Sequence, residues 1–390
     1  MADCGNPFEG FDASRVSSPC FVVDEVAVER NLKILSQVQE ESGAKVLAAL
    51  KAFSMWNLAP LVSKYLSGTC ASGLHEARLG REEYSGEVHV FSAAYSESDL
   101  REILDIADHV VFNSFSQWQR FQPLLKAAKA VRPQLQFGLR INPQHSEGEV
   151  AIYDPCAPCS RLGIPLSQFE GQSLAGITGL HFHTLCEQDV GPLKRTLVAV
   201  EAQFGEVLHQ MQWVNFGGGH HITRPDYQVN ELIEQVKAFS QKYNVQVFLE
   251  PGEAVAIHTG VLVSEVLDLT WNDMNLAILD TSATCHMPDT LEMPYRADIL
   301  GAGLPEQYPH IYRLGGMTCL AGDVIGDYSF DKPLEVGQRL IFDDMSHYTM
   351  VKTTTFNGIN LPAIAIWNSE NDELHLVKEF GYDDFKNRLS

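Results

Sequence analysis

Short runs of apolar, β-favouring residues alternate with longer amphipathic stretches through the first two thirds of the chain. Val28, Leu32 and Leu35 fall on one face of a predicted helix, and Ser96 with Asp99 has the pattern of a helix capping box. Eight strands separated by helices over about 220 residues are typical of a closed parallel barrel. The eight predicted strands are 45–50, 69–72, 87–91, 109–113, 136–141, 179–183, 212–216 and 246–250.

The alternation of predicted strands and helices is interrupted once, at 142–168, and ends after Pro251. The stretch 142–168 is long and contains four prolines, which predicts a loop after the fifth strand, where functional insertions occur in barrels. After Pro251 only strands are predicted, so we expect a (β/α)8 barrel over 25–260. A second, all-β domain of the sandwich or barrel type is expected over 261–390, together with 1–24. Its predicted strands are 20–23, 260–267, 275–280, 339–343, 361–366 and 373–377.

Composition and charge limit the kinds of molecule that this chain is expected to bind. The chain has 28 basic and 50 acidic residues and a formal net charge of −22, which disfavours binding to nucleic acids or anionic membranes. A cationic substrate suits this charge, although a merely solvated acidic surface explains it equally well. The sequence shows no signal peptide and no apolar run long enough to span a membrane. Its eight cysteines are too sparse for a disulfide scaffold, so we expect a cytoplasmic protein.

Three groups that can carry chemistry stand where predicted barrel strands end. Lys51 has apolar neighbours, so its amine is suited to forming a Schiff base with an aldehyde, although a lysine at a barrel rim is the alternative. Gly217, Gly218 and Gly219 follow the seventh strand, where barrels commonly bind phosphate. Glu250 ends the eighth strand and needs a cationic partner. That partner is either a protonated pyridine nitrogen or an arginine such as Arg140.

The order of these groups resembles the fold-type III pyridoxal-phosphate (PLP) decarboxylases, which include ornithine, diaminopimelate and carboxynorspermidine decarboxylases. The likeness extends from about Pro19 to Gly358, and it implies an alanine racemase-like fold. The motifs that carry it are Ala49-Leu50-Lys51-Ala52, Leu180-His181-Phe182-His183, Asn215-Phe216-Gly217-Gly218-Gly219, Glu250-Pro251-Gly252, Thr318-Cys319, Gly322-Asp323, Asp344-Met345-Ser346-His347-Tyr348 and Phe356-Asn357-Gly358.

The resemblance implies a role for each matching position. Lys51 would carry the cofactor as a Schiff base, and His183 would stack on the pyridine ring. The three glycines and Tyr348 would hold the phosphate, and Glu250 would pair with the pyridine nitrogen. Cys319 would reach the site from the partner subunit of a head-to-tail homodimer and would help to control protonation after CO2 departs.

Two positions separate this chain from the ornithine and diaminopimelate groups. Ornithine-type enzymes carry a phosphate-binding arginine at the position of Glu253, where a carboxylate is better suited to a cationic substrate. Leu320 stands where both groups carry an acidic residue after the cysteine, so the distal ammonium must be met elsewhere. The candidates for substrate binding are therefore Glu253, Asp280, Asp289 and Asp323. For Asp289, a helix-capping or turn residue is the alternative.

The finer likeness is to the carboxynorspermidine decarboxylases, through Glu-Pro-Gly-Glu at 250–253, Gly-Gly-Gly-His at 217–220 and Cys-His-Met-Pro-Asp at 285–289. It implies decarboxylation of carboxynorspermidine or carboxyspermidine to norspermidine or spermidine. Decarboxylation of another basic amino acid (diaminopimelate, ornithine or arginine) is the alternative, and a non-catalytic PLP-binding homologue is a further one.

Two readings of other classes stay open at this point. Cys156-Ala157-Pro158-Cys159 resembles half of a zinc site that His181, His183 and Cys186 would complete, as in a metallohydrolase. The second Cys-x-x-Cys is missing, so no metal is included in the preferred interpretation. A racemase of the same fold is the other possibility. Glu250 argues against it, because racemases place an arginine against the pyridine nitrogen.

Overall fold

The chain divides into two compact units in the computed structural model, which describes residues 6–148 and 150–390. One unit is Glu29–Val255, and the other combines the residues up to Val28 with Ala256–Ser390. The domain limits of 25–260 and 261–390 stay a prediction, because compactness alone does not show that each part folds independently.

The described residues form seventeen strands and twelve α-helices. The strands are β1 Cys20–Asp24, β2 Lys45–Ala49, β3 Gly68–Ala71, β4 Glu87–Phe91, β5 His109–Phe112, β6 Gln136–Arg140, β7 Gly179–His181, β8 Trp213–Asn215, β9 Gln246–Leu249, β10 Gly260–Asn272, β11 Met274–Leu279, β12 Ala302–Gly303, β13 His310–Gly315, β14 Val324–Phe330, β15 Arg339–Phe342, β16 Ala363–Asn368 and β17 Glu373–Lys378. The helices are α1 Glu25–Ser42, α2 Ala59–Tyr65, α3 Leu74–Glu83, α4 Glu97–Ile106, α5 Phe115–Arg120, α6 Gln122–Val131, α7 Val190–Leu208, α8 Val229–Tyr243, α9 Glu253–Ala256, α10 Ala283–His286, α11 Asp289–Glu292 and α12 Tyr382–Lys386.

Strands β2 to β9 form a closed parallel barrel in chain order, with β9 pairing back onto β2. Each strand begins within one residue of its predicted start, so the predicted (β/α)8 barrel is confirmed. The strands end up to two residues earlier than predicted. Leu47, Val111, Trp213 and Phe248 form a buried cluster of barrel side chains.

The helices follow the amphipathic pattern of the sequence. Val28, Leu32 and Leu35 of α1 are fully buried. Ser96 Oγ accepts the backbone N–H of Asp99 over 3.1 Å and so caps α4 as predicted. Among the described residues, no helix is long and apolar enough to cross a membrane.

The other unit contains a mixed sheet in the order β12-β14-β13-β11-β10-β1-β16-β17, with β15 paired to β10. The predicted strand near the N-terminus is part of this sheet, since β1 pairs antiparallel with β10 and parallel with β16. The expected all-β domain is therefore present.

Two details of the predicted sheet were wrong. Strands β12, β13 and β14 were missed, although β13 has the alternating apolar and polar residues that favour a half-buried strand. The expectation of strands without intervening helices also fails, since α9, α10 and α11 lie among the strands. Each of these helices has four residues, too few to show a helical period in the sequence.

Candidate active site

A cavity of about 330 Å³ is lined by residues at the carboxyl ends of the barrel strands. Lys51, His183 and Glu250 all line it, and they follow β2, β7 and β9 by one or two positions. Lys51 is exposed, and its side chain lies at this cavity. Three of the predicted groups therefore share one cavity, as the barrel topology requires.

Glu250 is an ionised carboxylate held by two donors from neighbouring strands. Asn215 Nδ2 donates to Glu250 Oε1 over 2.7 Å, and His181 Nε2 lies 3.2 Å from Oε2. Burial raises the pKa of this carboxyl group, but His181 and Asn215 oppose burial and the pKa falls to about 2. Burial lowers the pKa of His181, and the nearby Glu250 carboxylate opposes this shift. Glu250 therefore keeps its negative charge in the cavity.

His183 is a neutral ring fixed by the glycine loop. The backbone N–H of Gly218 donates to His183 Nδ1 over 2.9 Å, which places the ring proton on Nε2. Burial, followed by the charge of Lys51, holds the pKa of His183 well below its usual value. A neutral, fixed imidazole suits stacking on an aromatic cofactor, which stays a prediction for His183.

The glycine loop after β8 passes too close to neighbouring backbone to accept side chains. A Cβ on Gly218 would lie 2.3 Å from the carbonyl oxygen of Glu250, and one on Gly219 would lie 2.0 Å from that of Leu185. Gly219 also has a φ of +82°, which disfavours other residues. Asn215 Oδ1 anchors the start of the loop by accepting the N–H of Gly217 over 2.8 Å.

Arg140 forms no direct ion pair with Glu250, contrary to the alternative considered for that acid, although the two charges do interact. Its guanidinium donates to the carbonyl oxygen of His183 over 3.2 Å and lies 4.6 Å from the ring centre of Phe91. Burial lowers the pKa of Arg140 to about 10, with Glu250 opposing the shift, so the side chain stays cationic. The hydrogen bonds to the Glu250 carboxylate described above come from Asn215 and His181.

Asn215 and His181 were missed as functional residues, although both lie inside the quoted motifs. For His181 a signal existed, since His-x-His at the end of a strand places both rings on one face. For Asn215 the partner is Glu250, 35 positions away. No local pattern reveals a contact at that separation.

Glu253 lies beside His221 in the barrel unit. Its Oε2 atom is 3.1 Å from His221 Nε2, and both side chains are largely buried. One carboxylate oxygen therefore already faces an imidazole. The predicted contact of Glu253 with the substrate stays a prediction.

The remaining predicted residues belong to the second unit. Asp280 accepts hydrogen bonds from Ser264 Oγ and from the backbone N–H of Glu265, over 3.0 and 2.9 Å. Asp323 accepts from Ser282 and Thr318 through their hydroxyls.

Asp289 differs because it forms an ion pair of 2.5 Å with Lys352, and it is the first residue of α11, which follows the N-cap residue Pro288. Cys319 is exposed, and its backbone N–H donates to Asn357 Oδ1 over 2.8 Å. Tyr348 is half-buried, with Lys352 Nζ 6.0 Å from its ring centre. The roles predicted for these residues in the active site stay predictions.

The zinc-site alternative finds no support in the donor geometry of residues 6–148 and 150–390. In these ranges the donor atoms of Glu87, His89 and His109 lie within 4.8 Å of one another, whereas Cys156 and Cys159 belong to no such group. The loop that carries these cysteines instead contributes Tyr153 to the cavity lining.

The fold and the site together define the class of protein. The chain matches the family described as pyridoxal-dependent decarboxylase, C-terminal sheet domain, over residues 20–346. It belongs to this family and is an enzyme of the decarboxylase class.

Particular relatives narrow the comparison. The chain is 45% identical to the carboxyaminopropylagmatine decarboxylase of Synechocystis over 98% of both chains. It is 43% identical to the carboxynorspermidine/carboxyspermidine decarboxylase of Campylobacter jejuni over 96% of this chain and 99% of that one. The crystal structure of carboxynorspermidine decarboxylase from Campylobacter jejuni, complexed with norspermidine, superimposes with a TM-score of 0.87 at 42% identity. That superposition covers 96% of this chain and all of the other.

Proposed function

We propose that this protein uses PLP to decarboxylate carboxynorspermidine or carboxyspermidine, with release of norspermidine or spermidine and CO2. The observation that carries the proposal is the buried, ionised Glu250 in the same cavity as the Lys51 amine. An acid in that position needs a cation, and a free amine beside it suits an aldehyde.

The donor set fits PLP at both ends. Lys51 would hold the cofactor covalently, Glu250 would hold the protonated pyridine nitrogen, and the neutral ring of His183 would cover one face. The loop from Gly217 to Gly219 and Tyr348 would hold the phosphate. When bound, PLP supplies an electron sink for the bond to the departing carboxylate. The protein keeps Glu250 ionised and holds the residues that line the cavity in place.

The choice of substrate rests on the relatives. The substrates in the names of these relatives share a carboxylated aminopropyl group. They differ at the other end of the molecule, which is an ammonium in carboxynorspermidine and carboxyspermidine and the guanidinium of agmatine in carboxyaminopropylagmatine. Carboxyaminopropylagmatine is therefore a second candidate substrate, favoured by the 45% identity to the Synechocystis enzyme. The net charge of −22 suits either polycation.

Acidic side chains of the second unit are the proposed contacts for the distal amines. The hydrogen bonds to Asp280 and Asp323 described above come from hydroxyl and backbone N–H groups, which leave the negative charges uncompensated. Asp289 is already paired with Lys352, so it would contribute less charge unless the substrate displaces that lysine. Asp280 and Asp323 are therefore the better supported of the three.

We further expect a homodimer in which Cys319 serves the site of the partner subunit. Support comes from the exposure of Cys319 together with apolar residues of the same unit, since Met317, Leu320 and Phe356 are each 44–45% exposed. Contact with a second copy would cover these side chains. The seven described cysteines are free, which is consistent with the expected cytoplasmic location.

A substrate panel assayed by CO2 release tests the proposal. It contains carboxynorspermidine, carboxyspermidine, carboxyaminopropylagmatine, diaminopimelate, ornithine and arginine. We expect kcat/KM to be highest for one of the carboxylated polyamines. Lys51→Ala should abolish both turnover and the visible absorption of bound PLP, whereas Lys33→Ala, at an exposed helical lysine, should change neither. Preference for ornithine or diaminopimelate would contradict the proposed substrate. Full activity of Lys51→Ala would contradict the proposed role of Lys51.

A further inference from the structure

The loop after β6 supplies part of the lining of the cavity beside Lys51, and this part includes an acid. Among the described residues that line the cavity, the acidic ones are Glu250 and Asp154. The Glu250 carboxylate faces Asn215 and His181, and it is proposed above to hold the pyridine nitrogen. Asp154 is therefore the acidic group of this cavity to which the proposed chemistry gives no role.

Short-range hydrogen bonds fix Asp154 in the loop. It directly follows the single helical turn Ala151–Tyr153, and its Oδ1 atom accepts the backbone N–H of Cys156 over 2.8 Å. The residue is half-buried and forms no ion pair with another described residue, including Arg161, which also lines the cavity. One carboxylate oxygen is thus used by the loop, and the negative charge remains available to a ligand.

The substrates in the names of the relatives share a second charged group at a fixed position. In carboxynorspermidine, carboxyspermidine and carboxyaminopropylagmatine, a secondary ammonium follows the α-carbon after two methylene groups. Ornithine, diaminopimelate and arginine have a methylene at that position. Because decarboxylation takes place at the α-carbon, which has to lie beside Lys51, this inner ammonium has to enter the same cavity. A cation that leaves water there needs an anionic partner.

We propose that Asp154 binds the inner secondary ammonium of the substrate and so selects carboxylated aminopropyl compounds over other basic amino acids. The inference rests on the proposed function and adds to it a substrate contact from the barrel unit. Since the inner ammonium is common to all three compounds, Asp154 does not discriminate between an ammonium and a guanidinium at the far end.

Two substrates that differ only at the inner nitrogen isolate this contact. They are carboxynorspermidine and its carba analogue, in which a methylene replaces the secondary amine and both end groups are kept. We expect the wild-type kcat/KM for CO2 release to be about 10- to 100-fold higher for carboxynorspermidine, as for one charge-assisted hydrogen bond. Asp154→Asn should reduce this ratio to within about threefold, mainly by raising KM for carboxynorspermidine.

The variants are chosen to preserve the loop. Asp154→Asn and Asp154→Ser both keep an oxygen that can accept the N–H of Cys156, so the Kd for PLP should stay within about twofold of wild type. Asp12→Asn is the matched control, because Asp12 Oδ1 likewise accepts a backbone N–H two residues later, that of Ser14 over 3.0 Å, but does not line the cavity. It should leave the substrate ratio unchanged.

A wild-type substrate ratio in an Asp154 variant that binds PLP normally overturns the inference, and so does a wild-type protein that uses both compounds equally well. Loss of PLP affinity in both Asp154 variants would show that the residue maintains the loop, which also overturns the inference. A wild-type protein that releases CO2 from none of the carboxylated polyamines would instead overturn the proposed function itself.

Discussion

Replacing Asn215 by alanine tests whether one amide holds both the carboxylate and the glycine loop in place. Asn215 is 1% exposed, donates to Glu250 over 2.7 Å and accepts from Gly217 over 2.8 Å. A hydrogen bond to a charged group contributes about 1.5–3 kcal/mol, and a neutral one about 0.5–1.5 kcal/mol. We therefore expect Asn215→Ala to lower the free energy of unfolding by about 2–4 kcal/mol.

Asn368 offers a matched control in the other unit. Its amide donates to Glu25 Oε1 over 2.8 Å and accepts the backbone N–H groups of Glu370 and Asn371, both over 3.1 Å. The same two kinds of bond are lost in Asn368→Ala, but they are less buried, so we expect a loss of about 1–2 kcal/mol. Urea unfolding followed by circular dichroism measures both variants, with the transitions fitted separately because the chain has two units.

The two variants should differ most in cofactor affinity. Asn215→Ala removes a donor from Glu250 and the anchor of the glycine loop, so we expect the Kd for PLP to rise about tenfold or more. Asn368→Ala should stay within about twofold of wild type. An Asn215→Ala protein that binds PLP like wild type, or an equal loss of affinity in both variants, would refute the reasoning.

Gly218→Ala places a Cβ 2.3 Å from the carbonyl oxygen of Glu250, so PLP affinity should fall at least about tenfold. Gly73→Ala, where nothing lies within 4 Å, should not change it in the same titration. The pKa of Glu250 is lowered from 4.5 to about 2, so its stabilisation is present above pH 4.5 and is lost as the pH falls towards 2. Glu250→Gln should flatten this part of the urea midpoint profile, and parallel profiles would contradict it. Cys319→Ser should keep PLP bound but slow CO2 release about tenfold or more. An unchanged rate would remove Cys319 from the chemistry.

The barrel was predictable because each strand is a short apolar run with a clear beginning. Lys51 and Glu250 stand directly after such runs, and strand ends are where barrels carry chemistry. The position of these residues therefore follows from local sequence, once the barrel is accepted. Their shared cavity then follows from closure, since the carboxyl ends of all eight strands lie on one side.

The hydrogen-bond and ion-pair partners of the site residues could not be predicted from local sequence in the same way. Asn215 and Glu250 lie on adjacent strands and meet only because β8 and β9 pair in a particular register, Trp213 with Gln246. Glu253 was interpreted by its charge alone, whereas its neighbour His221 is 32 positions earlier in the chain and reaches it through the fold. Contacts of this kind depend on register and rotamers, which a single sequence does not encode locally.

The two glutamates of Glu-Pro-Gly-Glu lie against different partners. Asn215 Nδ2 donates to Glu250 over 2.7 Å, and His181 Nε2 lies 3.2 Å from the other oxygen of that carboxylate. Glu253 Oε2 lies 3.1 Å from His221 Nε2. Of the two acids, Glu250 lines the same cavity as Lys51, so a cationic ligand bound in that cavity would meet its charge. Two acids three positions apart therefore have different surroundings, and the surroundings, which the fold supplies, decide what each carboxylate can bind.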